Sequence, residues 1–344
     1  MLAVLVLAVV FVGAKRLPYV MFSPGGARAV EPLITVRQRP GGPKVHVERP
    51  TDDLLYVTVS QIMEPSGALT AYGWLDDTTQ VEPAKPYLGT QSSDQNRKLN
   101  LQMMTDSQDK ARKVALERLG YDVKTKYVGA FLDDVDPTYP AAKVLSPGMT
   151  VVAIDGKRVR TVDDLVDAIR AKQPGDEVEV TVVPLGQRTP KTVTTRLGRR
   201  EAPDERDIAA LGVSPETRAT FELPVDIDID TGQVGGPSAG LAFTLAILDR
   251  LTPGSLTGGK KVAVTGTIEL DGSVGPVGGV DHKTEAAVRQ GAELFLVPPD
   301  EYDMAKKAAR GRIRIEAVSS LDEALAALEA NGGDPLPAKA GAGA

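Results

Sequence analysis

The sequence predicts a multidomain chain of mixed α+β and α/β class, and three observations predict it. Short apolar runs bounded by Gly, Pro and Asp turns fill residues 127–197, with one amphipathic helix among them. Strands alternate with apolar helices from 205 to 330, and the chain opens with about 14 consecutive apolar residues. With 344 residues there is room for two or three compact domains. The expected division is an N-terminal anchor at 1–22, an extension at 23–120 packed on the next unit, a strand-rich unit at 121–200, an α/β unit at 205–330 and a disordered tail at 331–344.

The opening run, Met1 to Ala14, would span roughly 21 Å as a helix, short of the roughly 30 Å hydrocarbon core. No basic residue precedes it, so the usual n-region of a signal sequence is missing. Three readings stay open: a membrane anchor truncated at its start, a short anchor helped by Leu17 to Phe22, or a signal peptide cleaved near Val12-Gly13-Ala14. Lys15 and Arg16 alone would hold the C-terminal side inside.

Between 30 and 120, Leu55 to Val59 reads as a strand. Ala111, Val114, Ala115 and Leu119 mark a helix from Gln108 to Leu119. Trp74, the only tryptophan, is expected in the core rather than stacked on a ligand.

In the middle unit, Leu145-Ser146-Pro147-Gly148-Met149 is a turn before a strand with Val152 and Ile154 on one face, closed by Asp155-Gly156. Thr161 caps a helix through Ala171 with Leu165, Ala168 and Ile169 at core spacing, and Pro174-Gly175-Asp176 leads into the strand Val178 to Val182. This pattern, PG-x-x-V-x-x-I-D-G followed by T-x-x-DL, resembles a PDZ domain. The resemblance implies a small β-sandwich to which an extended peptide adds as a strand beside the helix, its end held by a backbone loop. Val128, Gly129, Ala130 and Phe131 are the expected groove residues. Met149 stands where an aspartate is usual. The other reading of this unit is a spacer that binds nothing.

The next segment carries Gly235-Gly236-Pro237-Ser238-Ala239-Gly240, then the apolar run Leu241 to Leu251, which reads as a buried helix ended by Thr252-Pro253-Gly254. Ser238 therefore sits at a helix N-terminus, where unpaired N–H groups and the helix dipole can stabilise a developing oxyanion. A plain helix cap is the alternative. Strands at Lys260–Val264, Thr267–Leu270 and Ser273–Val277 follow, then a break at Gly278-Gly279 and a helix from about Asp281 to Gln290. Lys283 falls in that helix's first turn. A cation there is disfavoured by the dipole, and burial disfavours it further, so both push toward the neutral amine a general base must be. A solvated surface lysine is the alternative.

These two segments, GPSAG and TGTIELDGSVGPVGGVDHKTEAAVRQGAELFLVP, resemble the proteolytic domain of the Lon protease family over roughly 222–330. The resemblance implies a Lon-type α/β domain in which Ser238 is the nucleophile and Lys283 its base. Gly236, Pro237 and Ala239 then frame the oxyanion turn. Many Lon proteases carry an acidic residue where this chain has Gly235, so Asp228 or Asp230 is the expected supporting carboxylate, and Thr265 or Thr267 the group that orients the amine. PDZ followed by Lon resembles membrane-tethered proteins of Gram-positive bacteria, implying a single-pass cell-membrane protein with its protease domain outside the cytoplasm. Lon-type domains often form rings, so a homo-oligomer such as a hexamer is expected.

Competing chemistries fit less well. A Ser-His-Asp triad would need His46 or His282, and His282 points about 100° away from Lys283 on the helix. The S-x-x-K pattern fails because Leu241 stands at the lysine position. Residues 254–260 open like a P-loop, but Lys261 replaces the Ser/Thr and a strand follows where a helix is required. No other P-loop candidate is present, so no ATPase module is expected within the chain. A net charge of −6 with mixed signs argues against nucleic-acid binding, and zero cysteines exclude disulfides, zinc–thiolate sites and a thiol protease. No cofactor and no metal is expected. The expected function is a serine endopeptidase acting on unfolded or PDZ-delivered polypeptides; the alternative is a PDZ adaptor with a latent protease fold.

Overall fold

The computed structural model describes residues 13–88, 91–201 and 207–337. In chain order come β1 (Tyr19–Ala29), β2 (Ile34–Arg37), β3 (Leu54–Met63), α1 (Gly67–Leu75), β4 (Gln80–Pro83), α2 (Ala84–Leu88) and α3 (Ser93–Arg118). Next are β5 (Lys124–Val135), β6 (Thr150–Ile154), β7 (Lys157–Arg158), α4 (Val162–Arg170), β8 (Glu177–Val183), β9 (Lys191–Arg196), β10 (Gly198–Glu201), β11 (Asp207–Ala210) and β12 (Val213–Glu222). The remainder is β13 (Asp226–Ile229), α5 (Gly240–Leu251), β14 (Val262–Val264), β15 (Thr267–Ile268) and β16 (Val274–Gly275). It ends with α6 (Val280–Arg289), β17 (Leu294–Val297), α7 (Tyr302–Ala309), β18 (Arg314–Ala317) and α8 (Leu321–Ala330). These elements form two compact units, one of residues 1–88, 103–123 and 223–344, the other of 89–102 and 124–222.

The first unit is built on a sheet of order β18-β17-β14-β3-β1-β4. Strands β3, β14, β17 and β18 run parallel, while β1 and β4 add antiparallel at one edge. All of β14 and β17 is buried, as parallel strands covered on both faces require. Side-chain alternation along β3 sends Leu55 and Val57 into the cluster with Val280, Ala287 and Phe295, while Tyr56 meets Phe243 of α5 at 6.2 Å between ring centroids. Every residue of α5 is buried, which explains its apolar sequence.

Four expectations are corrected here. Residues 23–88 do not extend the strand-rich unit; β14 needs a partner on its second edge, and the apolar run of β3 supplies it. Tyr19 to Phe22 are strand, paired with both β3 and β4, and do not prolong an anchor. The anchor's residues 1–12 lie outside the described residues, and among the described residues no helix is long and apolar enough to cross a membrane. Trp74 is 61% exposed, its ring edge-on to Tyr19 of β1. At the other end the tail is docked as far as Asp334, which accepts from Ser255 N at 2.9 Å, so disorder does not begin at 331; residues 338–344 lie outside the description.

The second unit is a sheet of order β12-β5-β6-β8-β9 with β7 paired to β6, closed over a core that includes Leu132, Val151, Ile154, Leu165 and Val180. Thr161 caps α4 as expected, in a full capping box with Asp164. Val152 does not share a face with Ile154. A register shift between Val151 and Ala153 puts Val151 in the core instead, as a bulge does.

Candidate active site

The serine turn is fixed from several sides. Gly236 has φ +91°, a conformation open to glycine, and Pro237 O accepts from Ser107 Oγ at 2.9 Å and Gly240 N at 3.2 Å. Ala239 is the buried N-cap of α5. Gly240 begins the helix where a Cβ would lie 2.8 Å from Ser107 Oγ and 2.9 Å from Ile268 N, so only glycine lets the helix start this close to the hairpin. Half-buried Ser238 is tied down through its backbone: its carbonyl accepts from Gly266 N at 2.9 Å and from Thr265 Oγ1 at 3.1 Å.

Lys283 enters from α6. Gly279 is that helix's N-cap at φ +64°, and a Cβ there would lie 2.8 Å from Val59 Cγ2. The side chain is buried, 3% exposed, and Nζ donates to Thr265 Oγ1 at 3.2 Å. Burial pulls the amine down to about 8, and the negative charge of Glu301 partly opposes the fall. One hydroxyl, that of Thr265, thus joins the Lys283 amine to the Ser238 backbone.

The other expected supports lie elsewhere. Thr267 donates to Glu269 Oε1 at 3.5 Å within its own hairpin. The positive φ of Gly266, +148°, breaks the strand alternation that would have put Thr265 and Thr267 on one face. Asp228 is exposed on β13, opposite Thr35, and Asp230 closes a local turn with Gly232 N. Glu301 is the carboxylate that acts on Lys283, and neither a motif nor a period marks it in the sequence. No motif marks Ser107 in the sequence; it lies in α3 one residue before the helix expected at 108–119. His46 is exposed with Nε2 2.7 Å from Glu48 Oε1. Among the described residues no His, Asp and Glu cluster of metal-binding form occurs.

Val128 to Phe131 form no open groove. Ala130 and Phe131 are paired to Thr217 and Glu216 of β12 on one side and to Val151 and Thr150 of β6 on the other. An interior strand has no edge left for a peptide. Strand β12 is the edge, and α4 lies against it, with Val162 N donating to Thr217 Oγ1 at 3.0 Å.

Two family models match successive stretches of the chain. Residues 86–195 match the model of the PDZ domain, and residues 209–330 match that of the Lon protease (S16) C-terminal proteolytic domain. The Lon protease of Methylocella silvestris is 35% identical over 133 residues, covering 38% of this chain and 16% of that protein. That of Roseiflexus castenholzii is 34% identical over 162 residues, 43% of this chain and 19% of its own length. The chain therefore spans under a fifth of these relatives. Among solved structures, the PDZ domain of an SdrC-like protein from Listeria monocytogenes is 24% identical with a TM-score of 0.24, over 27% of this chain and 92% of its own. Taken with the two folded units, the matches show that this chain carries a PDZ domain followed by a Lon C-terminal proteolytic domain.

Proposed function

We propose that the chain is a serine endopeptidase in which Ser238 is the nucleophile and Lys283 the general base. The observation that carries this reading is the buried Lys283 amine, brought down to about 8 and bonded to Thr265 against the Ser238 turn. Neutral Lys283 takes the hydroxyl proton as Ser238 Oγ bonds to the substrate's carbonyl carbon. The resulting ammonium returns that proton to the leaving amine, and the C–N bond breaks. Water, deprotonated by the same amine, then adds to the acyl carbon, the C–Oγ bond breaks, and the ammonium returns its proton to Ser238 Oγ. Backbone N–H groups of the turn at Gly236–Ala239 would hold the oxyanion. None of these steps calls for a nucleotide, so unfolded or PDZ-delivered polypeptides are the proposed substrates.

The test is cleavage of casein or a fluorogenic peptide without ATP, beside Ser238→Ala and Lys283→Ala. Full activity in either variant would refute the dyad. A second reading, an adaptor with a latent protease fold, draws on the place of β12 at the edge of its sheet beside α4. Labelling of Ser238 by a fluorophosphonate separates the two, since a latent serine stays unlabelled. Membrane tethering through residues 1–14 and ring assembly belong to the same proposal. Carbonate extraction and analytical ultracentrifugation test them.

A further inference from the structure

Glu301 ends the short 3-10 turn Pro299–Glu301 that connects β17 to α7. One of its oxygens, Oε1, accepts from Val277 N at 3.1 Å and so holds the start of the Val277-Gly278-Gly279 turn that delivers Lys283. The other, Oε2, is shielded from solvent and has no hydrogen-bond partner. A buried carboxylate oxygen left without a donor is costly unless a positive charge lies nearby.

Helix α6 packs against β1, β3 and α7. On α6 itself Asp281 accepts from Gln80, and Glu285 pairs with Arg289 and Arg312. His282 is buried beside Lys283. On the facing elements stand Arg28 and Tyr19 of β1, Tyr56 of β3, and Tyr302, Asp303, Lys306 and Lys307 of α7, with Lys306 lying over the Tyr302 ring. The negative charge of Glu301 raises the Lys283 pKa against the fall that burial imposes, which marks Lys283 as a cation within its reach.

We propose that Glu301 is a positioning residue for the dyad: Oε1 fixes the turn into α6, and the carboxylate stabilises the ammonium that Lys283 becomes after taking the Ser238 proton. This rests on the Ser238–Lys283 reading. Glu301 then does two things to the reaction. It keeps the proton on Lys283 long enough to be handed to the leaving amine, and it sets the acid limit below which the base is lost.

The experiment is the pH–rate profile of the full chain on a fluorogenic peptide, for wild type, Glu301→Gln, Glu301→Asp, Ser238→Ala and Lys283→Ala. Glutamine keeps an oxygen for Val277 N but removes the charge. The expected result is an acid limb displaced to lower pH by about one unit, with kcat reduced about tenfold and KM unchanged. Aspartate, which keeps the charge, should leave the limb near its wild-type position. An unmoved or raised limb in Glu301→Gln overturns the assignment while the dyad stands. Activity surviving in Ser238→Ala or Lys283→Ala overturns the dyad instead. Should turnover be absent altogether, 13C NMR titration of labelled lysines, with Lys283 assigned by Lys283→Arg, reads the same quantity. A lower Lys283 midpoint in Glu301→Gln supports the proposal, and an unchanged one rejects it.

Discussion

Lys283 reaches Ser238 through Thr265: the amine donates to Oγ1 at 3.2 Å, and that hydroxyl donates to the serine carbonyl at 3.1 Å. The threonine therefore fixes the amine's position and the height of the serine turn with one group. Without it the long lysine side chain, ordered at an entropic cost of up to about 2 kcal/mol, would lose its one side-chain hydrogen bond among the described residues.

Thr265→Val should accordingly cut kcat while leaving the fold intact. A hydrogen bond involving a charged group is worth about 1.5–3 kcal/mol, which is roughly 10- to 100-fold in rate. Thr265→Ser keeps the hydroxyl and should retain most activity. Equal rates in the valine variant and the wild type would show that the amine is held by something else.

Burying Lys283 carries a stability cost with a definite pH signature. Its folded pKa, about 8, lies below the ordinary 10.5, so between those values the unfolded chain binds more protons than the folded one. Stability contributed by this residue therefore rises with pH from about 8 to about 10.5, and below 8 the penalty is at its full size. The shift corresponds to about 3 kcal/mol. Lys283→Met, similar in length and uncharged, should raise the melting temperature at pH 7 and lose the gain as pH approaches 10.5. A methionine variant less stable than wild type at pH 7 would contradict the burial argument.

Peptide addition to the PDZ unit should occur at β12. In hydrogen-exchange mass spectrometry of the full-length Ser238→Ala chain, casein peptides should newly protect amides of residues 213–222 and 162–170. Amides of Gly129 to Phe131 should already exchange slowly in the free protein, because both neighbours of β5 are in place. New protection confined to 128–131 would restore the groove the sequence suggested.

The contrast between these positions explains what could be read from the chain alone. The turn that carries Ser238 and the helix that carries Lys283 are legible because each needs a local backbone device, Gly-Pro before one helix and Gly-Gly before the other. The cap of α4 and the buried run of α5 are legible for the same local reason. The groove is not, since whether β5 is an edge depends on β12, far downstream. Nor is the role of 23–88, whose strands complete a sheet with β14 across most of the chain length. Glu301 is illegible because the backbone N–H it accepts from, that of Val277, lies beyond an intervening helix and strand, and Thr267 misleads because one glycine between it and Thr265 reverses the pleat.

A second buried titration works against the first. Glu31 is 1% exposed; it accepts from Thr51 N at 2.8 Å and Thr51 Oγ1 at 3.0 Å, and it is hydrogen-bonded to Asp249 in the last turn of α5. Burial raises both carboxyls, Glu31 to about 7, and a carboxylate at a helix C-terminus is further disfavoured. Between the ordinary 4.5 and about 7 the folded chain holds the extra proton, so this stabilisation is complete below 4.5 and is lost as pH rises through 7. On the order of 3 kcal/mol is at stake. Glu31→Gln should flatten the fall in melting temperature across that window and leave the rise above pH 8 untouched, because that rise belongs to Lys283. Wild type should consequently show a shallow stability minimum between pH 7 and 8, where the acid pair has given up its proton and the lysine has not yet done so. A melting temperature that climbs from pH 5 to pH 7 would remove the acid pair from the account.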